Sequence, residues 1–350
     1  MRLPSWLGDL VACEPALRAL AHRLGCAEGS GLSLVAPRQL LPILDGILPG
    51  ARRIPQEGRS AECAADWRGH DVAILFTNSF RSAWTAWRAG IPRRVGWARD
   101  GRRFLLTDSI TPALERGGLP LGLGLKGTGR RVLPRPFGAT CIELANLVGA
   151  EVRDRWPRVT AGEWPDSLAS WEHRDGEFLL VNAGCRPGST KGIPPELLGQ
   201  ALRGVAALEI PILIVGGPGE EAAVNAVLEA AGPLDVPLHA ALPEAPSLPE
   251  LSALCARARV AWTADAGPLH ILRANRTPRV VLQGSTDPRH TAENLQGEIR
   301  LRTQVDCGPC HREVCSQPEP QRMRCMGEID PARLVESTRT LLAVERFDCR

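Results

Sequence analysis

Four short segments carry side chains suited to work on a charged leaving group. The clearest is Thr263-Ala-Asp-Ala-Gly-Pro-Leu-His270, directly after the apolar run 260–262. A strand that ends in Asp265, with Ala266 and Gly267 before Pro268 at a first helical position, turns backbone N–H groups and the positive end of a helix outward. Such a turn binds an anion such as a diphosphate; the alternative is Asp265 as a plain N-cap and His270 as a packed residue. Val181-Asn-Ala-Gly-Cys-Arg-Pro-Gly-Ser-Thr-Lys191 also follows a strand and sets Lys191 in a loop of small residues. Lys126 is the only other lysine in the chain. A lysine in such a loop acts as a point charge on phosphate, and Gly184 and Gly188 let backbone approach the ligand. No Gly-Lys-Ser/Thr run occurs, so this is not a Walker A loop. Val215-Gly-Gly-Pro-Gly-Glu220-Glu221 closes a third strand without Gly-x-Gly-x-x-Gly spacing, which disfavours a nicotinamide reductase. Glu220, with Glu221 as the alternative register, either binds a ribose hydroxyl or complements a helix dipole. Near the chain start, Asp9 in Trp6-Leu-Gly-Asp9 either caps a helix or serves as a general base that accepts a proton from an attacking hydroxyl.

The elements that position these loops follow from hydrophobic periodicity. Strand-like runs at 32–36, 71–76, 178–181, 211–215, 260–262 and 279–282 alternate with helical periodicity at 11–24, 81–89, 220–231 and 332–344. That alternation predicts an α/β protein with two doubly wound parallel sheets facing a cleft, whose ligands bind outside the carboxyl ends of the strands. The 350 residues suit two domains. We expect one over 1–155, a linker over 156–175 where Trp156, Trp164 and Trp171 show no sustained period, a second over 176–330, and a terminal helix over 331–350. The Gly- and Pro-rich stretch 117–136 reads as a loop. Only Met1–Pro4 precede the Gly8-Asp9 turn, so either the chain start lies further upstream or the first strand is very short.

Composition narrows the functional classes. A net charge of +3 is too small for a nucleic-acid coat protein, and no nucleic-acid partner is expected. No apolar run approaches the roughly 18 residues of a membrane span, and Asp9 and Glu14 interrupt the stretch where a signal peptide would lie, so cytoplasmic residence is expected. Eleven cysteines in a chain of this size argue for mostly reduced thiols. Phe80, Trp84 and Trp87 at helical spacing read as core.

In order along the chain, Trp6-Leu-Gly-Asp9, Asn78-Ser-Phe-Arg81, Ala89-Gly-Ile-Pro-Arg-Arg-Val-Gly96, Gly188-Ser-Thr-Lys191, Thr263-Ala-Asp-Ala-Gly-Pro-Leu-His270 and Gly284-Ser-Thr-Asp-Pro288 resemble the ADP-heptose:lipopolysaccharide heptosyltransferases, in particular the heptosyltransferase II branch. The resemblance implies a GT-B architecture of two Rossmann-like domains, acceptor on the N-terminal and nucleotide sugar on the C-terminal one. It implies an inverting, metal-independent transfer of heptose from ADP-heptose to the lipopolysaccharide inner core, with peripheral contact to the inner face of the cytoplasmic membrane. Position by position, it makes Asp9 the base, Lys191 a phosphate contact, Glu220 the ribose contact, and Asp265 to Gly267 the diphosphate turn, with Thr263 and His270 beside it. Gly192-Ile193-Pro194 departs from the aromatic the family has before proline. Alternatives are a GT-B transferase with another sugar nucleotide or acceptor, and a catalytically silent sugar-nucleotide-binding homologue.

Two further groups remain. Arg93, Arg94, Arg99, Arg102, Arg103, Arg130, Arg131 and Arg135 form a basic tract that is either solvated surface or a bidentate reader of acceptor carboxylates and phosphates. With Arg81, Arg93 and Arg94 are the acceptor-binding candidates. Cys307, Cys310, Cys315 and Cys325 could ligate a structural zinc, but their spacing departs from a paired Cys-x2-Cys ribbon, and free or paired thiols are favoured.

Overall fold

The computed structural model describes residues 1–56, 64–116, 130–160, 162–172, 176–186 and 188–344. Residues 117–129 of the Gly- and Pro-rich stretch, Lys126 among them, lie outside these, as do the side chains of Arg130 and Arg131. The chain divides into two compact units: residues 1–160 with 289–293, and residues 161–288 with 294–350. The stretch 156–175 is shared between them. Arg158 N–H donates to the buried Glu14 carboxylate at 2.8 Å in the first unit. Trp171 packs edge-on against Phe178 in the second, ring centroids 5.0 Å apart.

In the first unit, α1 (Leu7–Arg23) leads into β1 (Ser33–Pro37), β2 (Arg52–Gln56), β3 (Val72–Leu75), α2 (Phe80–Arg88), β4 (Arg93–Trp97) and β5 (Asp108–Ile110). A two-stranded antiparallel ribbon, β6 (Leu114–Arg116) and β7 (Arg130–Val132), precedes α3 (Phe137–Leu147). β1 pairs with β2, and β3 with β4 and then β5, all parallel. The segment Met1–Leu3 joins the two sets. Arg2 N–H donates to Ile74 at 2.8 Å and Leu3 N–H to Val35 at 2.9 Å, while the Met1 and Arg2 carbonyls accept from Val35 and Phe76. Three residues therefore act as the central strand, with parallel bridges from Arg2 to Val35 and to Leu75. Counted with this segment as strand 1, the order is 3-2-1-4-5-6. The sheet is short at its centre but continuous, because Met1, Arg2 and Leu3 are all buried there.

The second unit has the same order without abbreviation. β8 (Leu179–Asn182), α4 (Pro195–Val205), β9 (Ile212–Val215), α5 (Glu221–Ala231), β10 (Leu238–Ala240), α6 (Leu248–Arg257), β11 (Val260–Ala264), α7 (Gly267–Ala274), β12 (Arg279–Leu282) and β13 (Glu298–Leu301) give a parallel sheet ordered β10-β9-β8-β11-β12-β13. The short α8 (Arg324–Gly327) and then α9 (Pro331–Leu342) close the unit. β8, β9, β11 and β12 are buried at every position, as expected of parallel strands covered on both faces. Helix starts are written in the sequence: Ser247 and Glu250 form a capping box on α6, and Asp330 caps α9 ahead of Pro331. Trp262 is fully buried, and its indole N–H donates to Thr338 of α9 at 2.7 Å. At the far side of the sheet Glu298 accepts from Arg273, Arg279 and Arg300 at 2.6–2.8 Å, with Arg273, Arg279 and Glu298 all essentially inaccessible. Burial opposes its charge, but the three guanidiniums bring the Glu298 carboxyl down to about 2. Among the described residues no helix is long and apolar enough to cross a membrane.

Candidate functional site

Strand order in the second unit reverses between β8 and β11, the point where open α/β sheets leave a crevice at their carboxyl ends. The loops leaving β8, β9, β11 and β12 hold the candidate donor residues. Asp265 follows β11 and is 5% exposed. Its carboxylate accepts from Gln283 Nε2 at 2.9 Å and from the Thr286 hydroxyl, both in the loop after β12. Burial pushes the Asp265 carboxyl up, yet the Thr286 and Gln283 hydrogen bonds and the charge of Lys191 outweigh it and hold it below the usual range. Ala266 is extended and caps α7, which starts at Gly267 with Pro268 in its first turn. His270, one turn on, is pulled down to about 3 by burial, with Arg273 adding to the effect. Its imidazole is therefore neutral at pH 7 and offers one hydrogen-bond donor and one acceptor, not a charge.

Lys191 is half-buried, and its charge acts on both Asp265 and His270, so the structure brings these three together. Its loop turns at Gly188, φ +75, a conformation that glycine adopts without strain. The loop is fastened from outside. Thr190 N–H donates to Glu313 at 3.0 Å, the Thr190 hydroxyl donates to Ser285 at 2.9 Å, and Ser189 forms an antiparallel bridge with Val314. Glu220 accepts from the Gly217 N–H at 2.7 Å and lies so close to Gly184 that a Cβ there would fall 1.8 Å from its Oε2. Glu221 is exposed and accepts from the Gly219 N–H at 3.3 Å. The inward carboxylate is thus Glu220. Thr263 is fully buried, its hydroxyl engaged with Ala264 and Asn182, so it ties β11 to β8 below the loop surface.

Thr190, Ser285 and Thr286 lie within segments that carry the family resemblance but receive no individual role from the sequence, and Gln283 lies outside those segments. The available signal was the polar run Gln283-Gly-Ser-Thr-Asp287 after an apolar strand: Gln283, Ser285 and Asp287 are buried, which polar residues tolerate only with partners.

The four cysteines line one hollow beneath this loop, together with Thr190 and Ser285. All four are free thiols; burial raises Cys325, and Cys310, Cys307 and Cys315 raise it further. Cys325 sits under Gly284, where a Cβ would meet its sulfur at 2.8 Å. Among the described residues no group of three or more His, Cys, Asp or Glu side chains is arranged to hold a metal ion.

In the first unit the corresponding reversal lies between Met1–Leu3 and β3. Asp9 is in the first turn of the helix that follows the central segment, at its positive end, and its charge acts on Cys141 of α3. Asn78, in the loop after β3, has a buried side-chain oxygen with no hydrogen-bond partner among the described residues. Arg81 is exposed and makes no ion pair among the described residues. Arg93 is bound to Asp108 at 3.1 Å, and Arg94 donates to the carbonyls of Leu105, Ile91 and Pro92 at 2.5–3.2 Å. Both guanidiniums are therefore engaged in holding the β4–β5 corner. Phe80, Trp84 and Trp87 correct the expectation of core: they are 42%, 40% and 49% exposed. The inward positions of α2 are the small residues Ser82, Ala83, Thr85 and Ala86, which allow close approach to the sheet.

Residues 211–320 match the model of glycosyltransferase family 9 (heptosyltransferase). Lipopolysaccharide heptosyltransferase 2 of Salmonella typhimurium is 24% identical over 98% of this chain and 97% of its own. The structure of the Escherichia coli ADP-heptose lipopolysaccharide heptosyltransferase II superposes with a TM-score of 0.72 at 21% identity, covering 97% of each chain. A family 9 glycosyl transferase from Veillonella parvula gives the same score at 18% identity, over 97% of this chain and 95% of that one. The chain is a glycosyltransferase similar to the family 9 heptosyltransferases. Its fold is GT-B, two Rossmann-like units, and the match at 211–320 spans Glu220, Asp265, Cys307, Cys310 and Cys315 of this glycosyltransferase.

Proposed function

We propose that the protein transfers heptose from ADP-heptose to the inner core of lipopolysaccharide, with inversion at the anomeric carbon. The observation that carries the reading is positional. Asp9 in one unit, and Lys191 with Asp265 in the other, each fall at the strand-order reversal of a 3-2-1-4-5-6 sheet. The second unit takes the donor: Lys191 and the N–H groups at the start of α7 face the diphosphate, Glu220 the ribose, and neutral His270 adds a hydrogen bond. The first unit takes the acceptor, with Arg81 presented to its anionic groups.

In the reaction an acceptor hydroxyl loses its proton to the Asp9 carboxylate while its oxygen forms a bond to the anomeric carbon. The bond from that carbon to the β-phosphate oxygen breaks, and its electron pair leaves with ADP. Charge grows on the diphosphate, so a cation and N–H dipoles already fixed in place stabilise the transition state more than the ground state. The steps proposed here use no metal ion. We place the protein in the cytoplasm, in peripheral contact with the inner face of the membrane that carries its acceptor. Incubation with ADP-heptose and truncated lipopolysaccharide acceptors, with ADP release and product mass followed, tests the reading. Transfer to a heptose-deficient core is expected. ADP binding without transfer to any such acceptor would replace it by the silent-homologue reading.

A further inference from the structure

The outward face of α2 is built the wrong way round for a helix that only packs on a sheet. Ser82, Ala83, Thr85 and Ala86 face the core, where Ala83 and Ala86 meet Leu75, Leu105 and Leu106. The large side chains face solvent at i, i+4 and i+7. Phe80 stacks on Trp84, ring centroids 6.3 Å apart; Trp84 meets Trp87 at 4.9 Å; and Phe104, 72% exposed, joins Phe80 at 6.1 Å. A contiguous exposed aromatic cluster of this kind marks an interaction surface, since scattered exposed apolar residues do not associate into one patch.

Charge decides what covers it. Between Ser79 and Asp108 the chain has seven arginines and one acid, Asp100, although the whole chain carries only +3. Arg81, Arg88 and Arg103 on the aromatic-bearing elements are exposed and make no ion pair among the described residues. The cluster is also held rigidly. Arg102, fully buried, donates to the carbonyls of Trp97 and Ser79 and to the Ser82 hydroxyl at 3.0–3.1 Å, which fixes the Arg103–Leu105 turn against the start of α2. Aromatic rings that favour the boundary between headgroups and acyl chains, rimmed by arginines, match an anionic bilayer surface.

We propose that Phe80, Trp84, Trp87 and Phe104, with Arg88 and Arg103, form a docking face for an anionic lipid bilayer. The proposal gives a location to the membrane contact inferred above and rests on that reading. Its test uses neither donor nor acceptor, so failure here leaves the transfer assay untouched.

The full-length protein is sedimented with vesicles of phosphatidylcholine containing about 30% phosphatidylglycerol, the headgroup charge supplying the attraction. Partition is expected, together with quenching of tryptophan emission by brominated acyl chains. The triple variant Trp84→Ser, Trp87→Ser, Phe104→Ser should bind at least about tenfold more weakly, because rings at the interface supply the apolar part of binding. Trp84→Phe with Trp87→Phe keeps aromatic bulk and should stay within about threefold of the parent, which separates loss of the surface from loss of the fold. Arg88→Ala and Arg103→Ala should each weaken binding about fivefold at low salt and less as salt rises. ADP affinity should be unchanged in every variant. Absence of partition by the parent protein, equal partition of the triple variant, or concentration-dependent self-association lost in the triple variant would overturn the proposal.

Discussion

At the strand reversal of the second unit the candidate site groups are held by partners, drawn from distant chain segments for Asp265 and Thr190 and from its own loop for Glu220. Asp265 is gripped by Gln283 and Thr286, Thr190 by Ser285 and Glu313, and Glu220 by the Gly217 N–H. At the reversal of the first unit the central strand is three residues long, and Asp9 follows it on the opening turn of a helix. On the helix that follows β3, Arg81, Arg88 and the aromatic side chains face outward. One edge is a preorganised electrostatic receptacle; the other is a platform whose contacts are made at its surface. The difference fits the two substrates proposed, since a diphosphate leaving group needs fixed dipoles, whereas a large membrane-borne glycolipid is met by an exposed face.

The comparison can be broken at several places. Glu298→Ala should be the most damaging change to the second unit. It leaves Arg273 and Arg279 buried without their carboxylate, a loss of about 3–5 kcal/mol, read as a shift in the urea midpoint. Asp9→Ala should leave ADP affinity and the urea midpoint close to the parent while turnover falls about 100-fold or more. Parent-like turnover would make Asp9 a cap only and remove the catalytic half of the contrast. Lys191→Ala should weaken ADP-heptose binding about tenfold at low salt, with the difference shrinking as salt screens the charge. Calorimetry showing no change at low salt would remove Lys191 from the donor site.

A smaller effect should follow pH. His270 titrates at about 3 in the folded chain against 6.5 in a free histidine, so between these values the unfolded chain binds more protons. Stability contributed by the neutral imidazole is full above pH 6.5 and is lost progressively as pH falls toward 3. Urea midpoints measured from pH 8 to pH 4 should fall less steeply in His270→Gln than in the parent. The smallest expected change is with EDTA, which should leave transfer intact. Abolition by EDTA with rescue by magnesium or manganese would contradict the mechanism proposed here.

How much of this was legible in the sequence differs between the same two regions. The apolar runs of β8, β9, β11 and β12 are buried on both faces, so each reads as a strand from residue type alone, and the loops between them are marked by glycine and proline. The polar grip on Asp265 was not legible, because Gln283 and Thr286 are separated from it by a helix and a strand and only the fold brings them near. Periodicity also misled at α2. A pattern at i, i+4 and i+7 shows that one face is apolar but not which way it points, and the small residues between the aromatics take the core side. The arginines were visible as a tract, yet sequence could not separate Arg93 and Arg94, bound within the β4–β5 corner, from Arg81 at the surface.

The bridge between Ser189 and Val314 makes order in the lysine loop a shared property of two distant parts of the chain. Opening of residues 305–325 would release the Thr190 amide as well, because its acceptor is the Glu313 carbonyl. The two segments should therefore exchange amide hydrogens as one cooperative unit. A nucleotide that selects the closed loop would slow exchange at Thr190 and at Val314 together, although Val314 itself is not proposed to touch the nucleotide. The cysteine-lined hollow would then sense occupancy: alkylation of the partly buried Cys310, Cys315 and Cys325 should slow in step with the amides when ADP is bound, whereas the exposed Cys307 should react at an unchanged rate.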